Sequence, residues 1–304
     1  LYYIVRLRNL QKQKIELVEQ VRLRTAEITE KNSALEDQQE EIVKQNQRIQ
    51  SSINYARRIQ RSMMPVDAEL QEGFSEYFVM LEPRNVVSGD FFWMTTNGNK
   101  VFIAAVDCTG HGVPGAFMSM VGLDLLKEIV NMRDILDPAL ILEEMHKGIR
   151  MALHQDENQS RDGMDLALCS FELKESGKVL MEFAGAHNPV IYIQDQEVHT
   201  IKGDRIGIGG YGIKHRERKF TKHELLIDRE TAVYLFSDGY QDQFGGEKNR
   251  KLMSKNFKRL LLRFHELPME QQHAKLLQEL EEWRGDNSQT DDVLVIGIRV
   301  KPQL

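Results

Sequence analysis

The chain reads as an α+β protein in which a long coiled-coil helix precedes antiparallel sheet flanked by helices. Three observations predict this class. Apolar residues recur every seven positions from Val21 to Met63, the period of a coiled coil. Pro65 then ends the helical pattern, because proline removes a donor and clashes with the preceding turn. Beyond it, short apolar runs follow one another without helices between them, which favours antiparallel sheets over a doubly wound parallel one.

The first element divides the chain into 1–65 and 66–304. Val21, Ile28, Leu35, Ile42, Ile49, Ala56 and Met63 take heptad position d, leaving position a to Val18, Thr25, Asn32, Gln39, Asn46, Ile53 and Gln60. Polar a residues specify register at a cost in stability, so the pattern predicts a weak parallel homodimer through residues 18–63. A single solvated helix rich in Gln and Glu is the other reading. The start, Leu1-Tyr2-Tyr3-Ile4-Val5 followed by Arg6, Arg8, Lys12 and Lys14, fits either the end of a membrane-embedded sensor segment with positive-inside residues or a plain linker.

Past Pro65, strands are predicted over Tyr77–Leu81, Val101–Val106, Leu166–Phe171, Val179–Phe183, Val190–Ile193, Ala232–Phe236 and Val293–Val300. Helices are predicted near Pro114–Asn131, Pro138–Leu153, Lys251–His265 and Met269–Trp283. A length of 304 residues with 41% hydrophobic content supports one substantial core plus an extension. Residues 1–65 carry a charge of +4 from twelve Lys/Arg and eight Asp/Glu, leaving −10 of the total −6 on the remainder. A globular part so acidic argues against nucleic-acid binding. The two cysteines, Cys108 and Cys169, form no CxxC and fit a reducing cytoplasm.

Four aspartates stand at the ends of apolar runs: Asp90 in Val87-Ser88-Gly89-Asp90, Asp107 in Val106-Asp107-Cys108-Thr109-Gly110-His111-Gly112, Asp238 in Phe236-Ser237-Asp238-Gly239 and Asp291 in Thr290-Asp291-Asp292. Carboxylates where strands meet turns can converge on hard divalent cations. Each alone is equally at home as a turn or cap residue. Two chemistries are excluded by arithmetic. A cysteine phosphatase needs Arg six residues after its Cys, where Cys108 meets Pro114 and Cys169 meets Glu175. No GxxxxGK[ST] occurs, and the glycine-dense Gly203–Gly212 has no helix start behind it.

These motifs, together with Ile53-Asn54-Tyr55-Ala56-Arg57-Arg58-Ile59-Gln60-Arg61-Ser62-Met63-Met64-Pro65, Pro83-Arg84 and Phe183-Ala184-Gly185-Ala186-His187-Asn188-Pro189, resemble in order and wording the SpoIIE/RsbU-like branch of the PPM (type-2C) metal-dependent serine/threonine protein phosphatases. The resemblance spans roughly residues 53 to 300 and implies two stacked antiparallel β-sheets flanked by helices. It implies two Mn²⁺ or Mg²⁺ ions held by Asp90, Asp107, Asp238 and Asp291 with help from the Gly110 carbonyl, polarising a phosphoryl group and activating water for in-line attack. Asp165 is a candidate for a third, weaker ion. Consecutive strand-end residues point opposite ways, so only one of Asp291 and Asp292 reaches the metals, and the family pattern favours Asp291. Val293 and Leu294 stand where relatives usually carry Ser or Thr.

His111 is either the general acid for the leaving serine oxygen or a loop residue before Pro114. Arg84 either binds substrate phosphate or makes a surface ion pair. His187 orders a turn. The resemblance further implies a phosphorylated STAS-type anti-sigma-factor antagonist as substrate, with the coiled coil as transmitter. The rival reading is a catalytically silent pseudophosphatase that binds a partner.

Overall fold

The structure is a computed structural model that describes residues 2–158, 160–210 and 218–302, so the last two residues of the Gly203–Gly212 stretch lie outside the described residues. The chain divides into two compact units, residues 1–54 and 55–304. The first is formed by most of helix α1 (Tyr2–Met63). Its described side chains are exposed save half-buried Ile53, and spaced pairs such as Glu27–Lys31 and Glu40–Lys44 decorate it at a few tenths of a kcal/mol each. Among the described residues no helix is long and apolar enough to cross a membrane.

The second unit starts with the last turns of α1 and continues through α2 (Asp67–Gly73), β1 (Tyr77–Glu82), β2 (Phe91–Asn97), β3 (Lys100–Cys108) and α3 (Gly112–Lys127), which runs into a π-turn at Glu128–Met132. After α4 (Pro138–Ala152) and α5 (Gln155–Asn158) come β4 (Gly163–Leu173), β5 (Val179–Ala186), β6 (Val190–Gln194), β7 (Glu197–Ile201), β8 (Ile208–Gly209), β9 (His223–Ile227) and β10 (Thr231–Phe236). The chain closes with α6 (Gly239–Asp242), β11 (Phe244–Gly245), β12 (Arg250–Lys251), α7 (Ser254–Phe264), α8 (Met269–Arg284) and β13 (Val293–Val300).

Two antiparallel sheets result, ordered β1-β13-β10-β6-β7 and β2-β3-β4-β5-β9, with β8 beside β4. Strand β13 shows why they stack. Leu294, Ile296 and Ile298 enter the core shared with Phe102, Val106, Leu166 and Phe183 of the other sheet. The alternate residues Val293 and Val295 pack with Phe257, Leu261, Leu276 and Leu280 of α7 and α8. Both faces of the strand are therefore apolar, with a side-chain period of two. Each such large side chain stabilises the fold by about 1.5–3 kcal/mol. Helices α3 and α4 cover the outer face of the second sheet.

The α+β class and all seven expected strands hold. The unexpected strands are β2, β7, β9 and the two-residue pieces. β2 opens with four consecutive buried residues, so it lacks alternation; β7 and β9 carry few buried positions. The expected helix Lys251–His265 begins later, at Ser254: Lys251 pairs with Phe244 in a small hairpin, and Met253 turns the chain at φ 72°.

Candidate metal centre

Every strand that ends in one of the predicted aspartates ends at the same edge of the sandwich. Asp90 immediately precedes β2, whose first residue Phe91 pairs with Val106 beside Asp107. Asp107 lies directly across β3–β4 from Asp165. In the other sheet, Asp238 follows β10, and Asp291 precedes β13, the partner of β10. The four aspartates read at the ends of apolar runs lie at strand ends, and the antiparallel pairing gathers them with Asp165, which was read only as a candidate for a third ion and stands near the start of β4.

Hydrogen bonds between the sheets hold the edge together. The Ser237 hydroxyl donates to Asp90 Oδ2 at 2.5 Å and accepts the Leu294 amide at 3.0 Å, tying β10, β13 and the Asp90 turn. Gly115 and Gly89 pack on the Gly110 carbonyl oxygen: a Cβ built on either would lie 2.3 or 2.4 Å from it. Gly110 itself has φ +86°, a left-handed conformation that favours glycine.

The electrostatics are one-sided. Asp90 is 2% exposed, and its carboxyl is pushed well above the usual range, first by burial and then by the negative charges of Asp107, Asp292 and Asp291. Asp107 is raised to about 8 by burial, then by Asp238, Asp291, Asp165 and Asp292. Burial also raises Asp165, with His187 Nδ1, 3.5 Å from its carboxylate, drawing it back. Asp238 keeps solvent contact yet is raised by the protein around it and by Asp242 and Asp291. Among the described residues none of the five is ion-paired to lysine or arginine; Lys251 is paired to Asp242. Like charges crowded at low dielectric need a compensating cation, and an all-oxygen donor set suits Mg²⁺ or Mn²⁺.

Among the described residues no three His, Cys, Asp or Glu side chains stand close enough to share one ion as placed. The fit therefore lies in donor chemistry and uncompensated charge.

Arg84 is exposed, and its guanidinium makes no ion pair among the described residues. Its amide donates to Asp292 Oδ1 at 2.7 Å. His111 occupies the N-cap of α3 without capping it by side chain; its Nδ1 lies 2.9 Å from Asn85 Oδ1. His187, at φ 58°, donates its amide to the Asp204 carbonyl and orders the turn as expected.

Three contributors were not anticipated. Ser237 and Asn85 lie inside or beside quoted motifs but carry no signal of their own. Gln60 reads as a heptad a residue, yet it is 3% exposed within the second unit. Its Nε2 donates to the Ser88 carbonyl at 2.6 Å and to Ser119 Oγ at 2.7 Å, joining α1 to the Asp90 turn and α3.

Comparison places this geometry among known proteins. Residues 97–301 match the family described as Stage II sporulation protein E (SpoIIE). The SiaA-PP2C domain of Pseudomonas aeruginosa superposes with a TM-score of 0.75 at 30% identity, over 84% of this chain and 98% of that one. The PP2C phosphatase domain with a regulatory fragment of SpoIIE from Bacillus subtilis shares the fold at TM-score 0.58 and 16% identity, over 74% of this chain and 63% of that one. The RsbU and RsbW domains of Rv1364c from Mycobacterium tuberculosis do so at 0.56 and 16%, over 75% and 61%. Comparison with curated proteins by sequence finds no match. With two thirds of its length in the family match and the sandwich edge built as described, the chain belongs to the SpoIIE family of metal-dependent, PP2C-type serine/threonine phosphatases.

Proposed function

We propose that this phosphatase acts on phosphoserine or phosphothreonine in a regulatory protein of the STAS type, an anti-sigma-factor antagonist, under the control of its N-terminal helix. One observation carries the catalytic half: carboxylates from both sheets meet at one edge, and the shifts of Asp90, Asp107, Asp165 and Asp238 are all upward. In this reading Asp90, Asp107, Asp238 and Asp291 hold two Mn²⁺ or Mg²⁺ ions, with Gly110 assisting and Asp165 serving a third. The ions supply Lewis-acid polarisation and a water of lowered pKa.

The chain's own groups do the rest. Arg84, without an ion pair among the described residues and anchored through its amide, binds phosphate oxygens with its planar fork. To serve as general acid His111 must be the imidazolium, with Nδ1–H held by Asn85 Oδ1 and Nε2–H the proton given to the leaving serine oxygen. The pseudophosphatase alternative loses ground to the complete acidic set and to the family.

Regulation rests on two features. Val21, Ile28, Leu35, Ile42 and Ile49 are each more than half exposed in the single chain, an apolar stripe suited to a second copy. Gln60 gives the far end of the same helix a grip on the Asp90 turn. A two-state shift of this kind needs a gap of on the order of a few kcal/mol.

The test is Mn²⁺-dependent phosphate release from a phosphorylated STAS-domain protein, with Asp107→Asn and Asp238→Asn alongside. Loss of turnover in both variants supports the centre. Mn²⁺ binding without turnover on this protein overturns the substrate, and absence of Mn²⁺ binding overturns the centre. Removing residues 1–54 should yield a monomer with altered activity or metal affinity, and unchanged kinetics would sink the regulatory half.

A further inference from the structure

We infer that Asp292, the neighbour of the proposed ligand Asp291, is a positioning residue that fixes the segment from Arg84 to Asp90 against the first sheet; this rests on the metal centre proposed above. Its two oxygens are divided between two backbone donors. Oδ1 accepts the Arg84 amide and Oδ2 the Gly89 amide, both at 2.7 Å, across 208 and 203 residues of sequence. Asp292 is 3% exposed and has no lysine or arginine partner among the described residues. A buried carboxylate without a cation is costly unless hydrogen bonds satisfy it, and charge-assisted bonds from backbone N–H groups are among the stronger ones.

The placement gives those bonds a purpose. Asp292 leads into β13 of one sheet, while Gly89 and Asp90 lead into β2 of the other. The Asp292 amide donates to Asp291 Oδ1 at 2.9 Å, orienting the adjacent carboxylate. Its carbonyl lies so close to Gly239, next to Asp238, that a Cβ there would sit 1.9 Å away. One residue therefore touches the backbone or carboxylate beside three of the four proposed principal ligands and fixes the main chain of Arg84. Its carboxylate is directed at two main-chain donors, the amides of Arg84 and Gly89. Partners that orient ligands typically change metal affinity about 10- to 100-fold when removed.

Asp292→Asn, which keeps shape and one acceptor, and Asp292→Ala are to be compared with the unaltered chain in two measurements. The first is amide exchange of residues 84–90 without metal. The second is Mn²⁺ affinity by calorimetry, with activity at saturating Mn²⁺. Expected are exchange about ten-fold faster or more in that segment, Mn²⁺ affinity down about 10- to 100-fold, and turnover largely restored by excess Mn²⁺. Asn should lie between Asp and Ala, and if Ala does not fold, Asn carries the test. Unchanged exchange and affinity overturn the inference, as does loss of one bound equivalent with unchanged exchange, which would make Asp292 a ligand. If the unaltered chain binds no Mn²⁺, the metal centre fails, while the exchange measurement still decides the tether.

Discussion

Gln60 holds Ser88 by both of its backbone groups: its Nε2 donates to the Ser88 carbonyl at 2.6 Å and its Oε1 accepts the Ser88 amide at 3.2 Å. Ser88 lies two residues before Asp90. The side chain thus acts as a two-point clamp between the last turn of α1 and the turn that carries a proposed ligand.

Gln60→Ala should raise the Mn²⁺ concentration needed for half-maximal phosphatase activity and lower stability by about 1–3 kcal/mol, since buried Ser88 groups lose their partners. A Mn²⁺ titration of activity with a denaturant melt checks both. Lower stability with unaltered Mn²⁺ dependence would reduce Gln60 to a packing role.

Gly115→Ala should damage the centre from the other side. The new Cβ would lie 2.3 Å from the Gly110 carbonyl oxygen and 2.8 Å from Gly89 Cα, all backbone that cannot swing away. Overpacking of this kind costs about 1–3 kcal/mol, and here the strain falls on the loop joining Asp107 to α3. Thermal unfolding with Mn²⁺ calorimetry should show weakened binding; a neutral outcome would mean the loop yields freely.

The metal-free protein should lose stability as pH rises. Asp107 is raised to about 8 in the folded chain, against an ordinary value of 3.8, and Asp90, Asp165 and Asp238 shift the same way. Between pH about 4 and 8 Asp107 binds more protons folded than unfolded, so its contribution to stability falls across that window, while His146, lowered to about 4 by burial and then by Arg218 and Arg150, acts oppositely only below its ordinary 6.5. With chelator present, melting at pH 8 should occur below melting at pH 6. Saturating Mn²⁺ should narrow or reverse the order, because ligands bind metal deprotonated. A metal-free melt that rises over this range contradicts the uncompensated cluster.

Arg299→Ala should separate stability from chemistry. The buried guanidinium pairs with Glu76 and Glu230 and donates to the carbonyls of His265 and Leu267, fastening the α7–α8 connection to the first sheet. Removing it leaves Glu76 and Glu230 solvated but takes the donor from the His265 and Leu267 carbonyls, at about 1–3 kcal/mol for each. The melt should fall by roughly 10 °C for a unit of this size, with Mn²⁺ affinity unchanged. A large loss of affinity would show that the far layer also shapes the centre.

Much of the fold was legible because its signals are local. Val293 to Val300 reads as a strand from its unbroken apolar run, and Pro65 marks the end of α1 wherever the rest of the chain goes. β7 and β9 were not legible, since Glu197–Ile201 and His223–Ile227 are short strands with few buried side chains, held by pairing with β6 and β5. Lys251 was assigned to a helix because nothing near it in sequence announces its pairing with Phe244.

Residue type, spacing and order need no third dimension, so the α+β class, the acidic residues at the ends of apolar runs and the family resemblance are all written along the chain. Which polar side chains serve those acids depends on the packed fold. Gln60 became a clamp, Ser237 a bridge to Asp90 and Asp292 a tether for Arg84 and Gly89 only when sheet pairing brought segments up to 208 residues apart within hydrogen-bond distance. Hydrogen bonds are short-ranged and directional, so their partners follow from the packed backbone and leave no periodic trace in the chain.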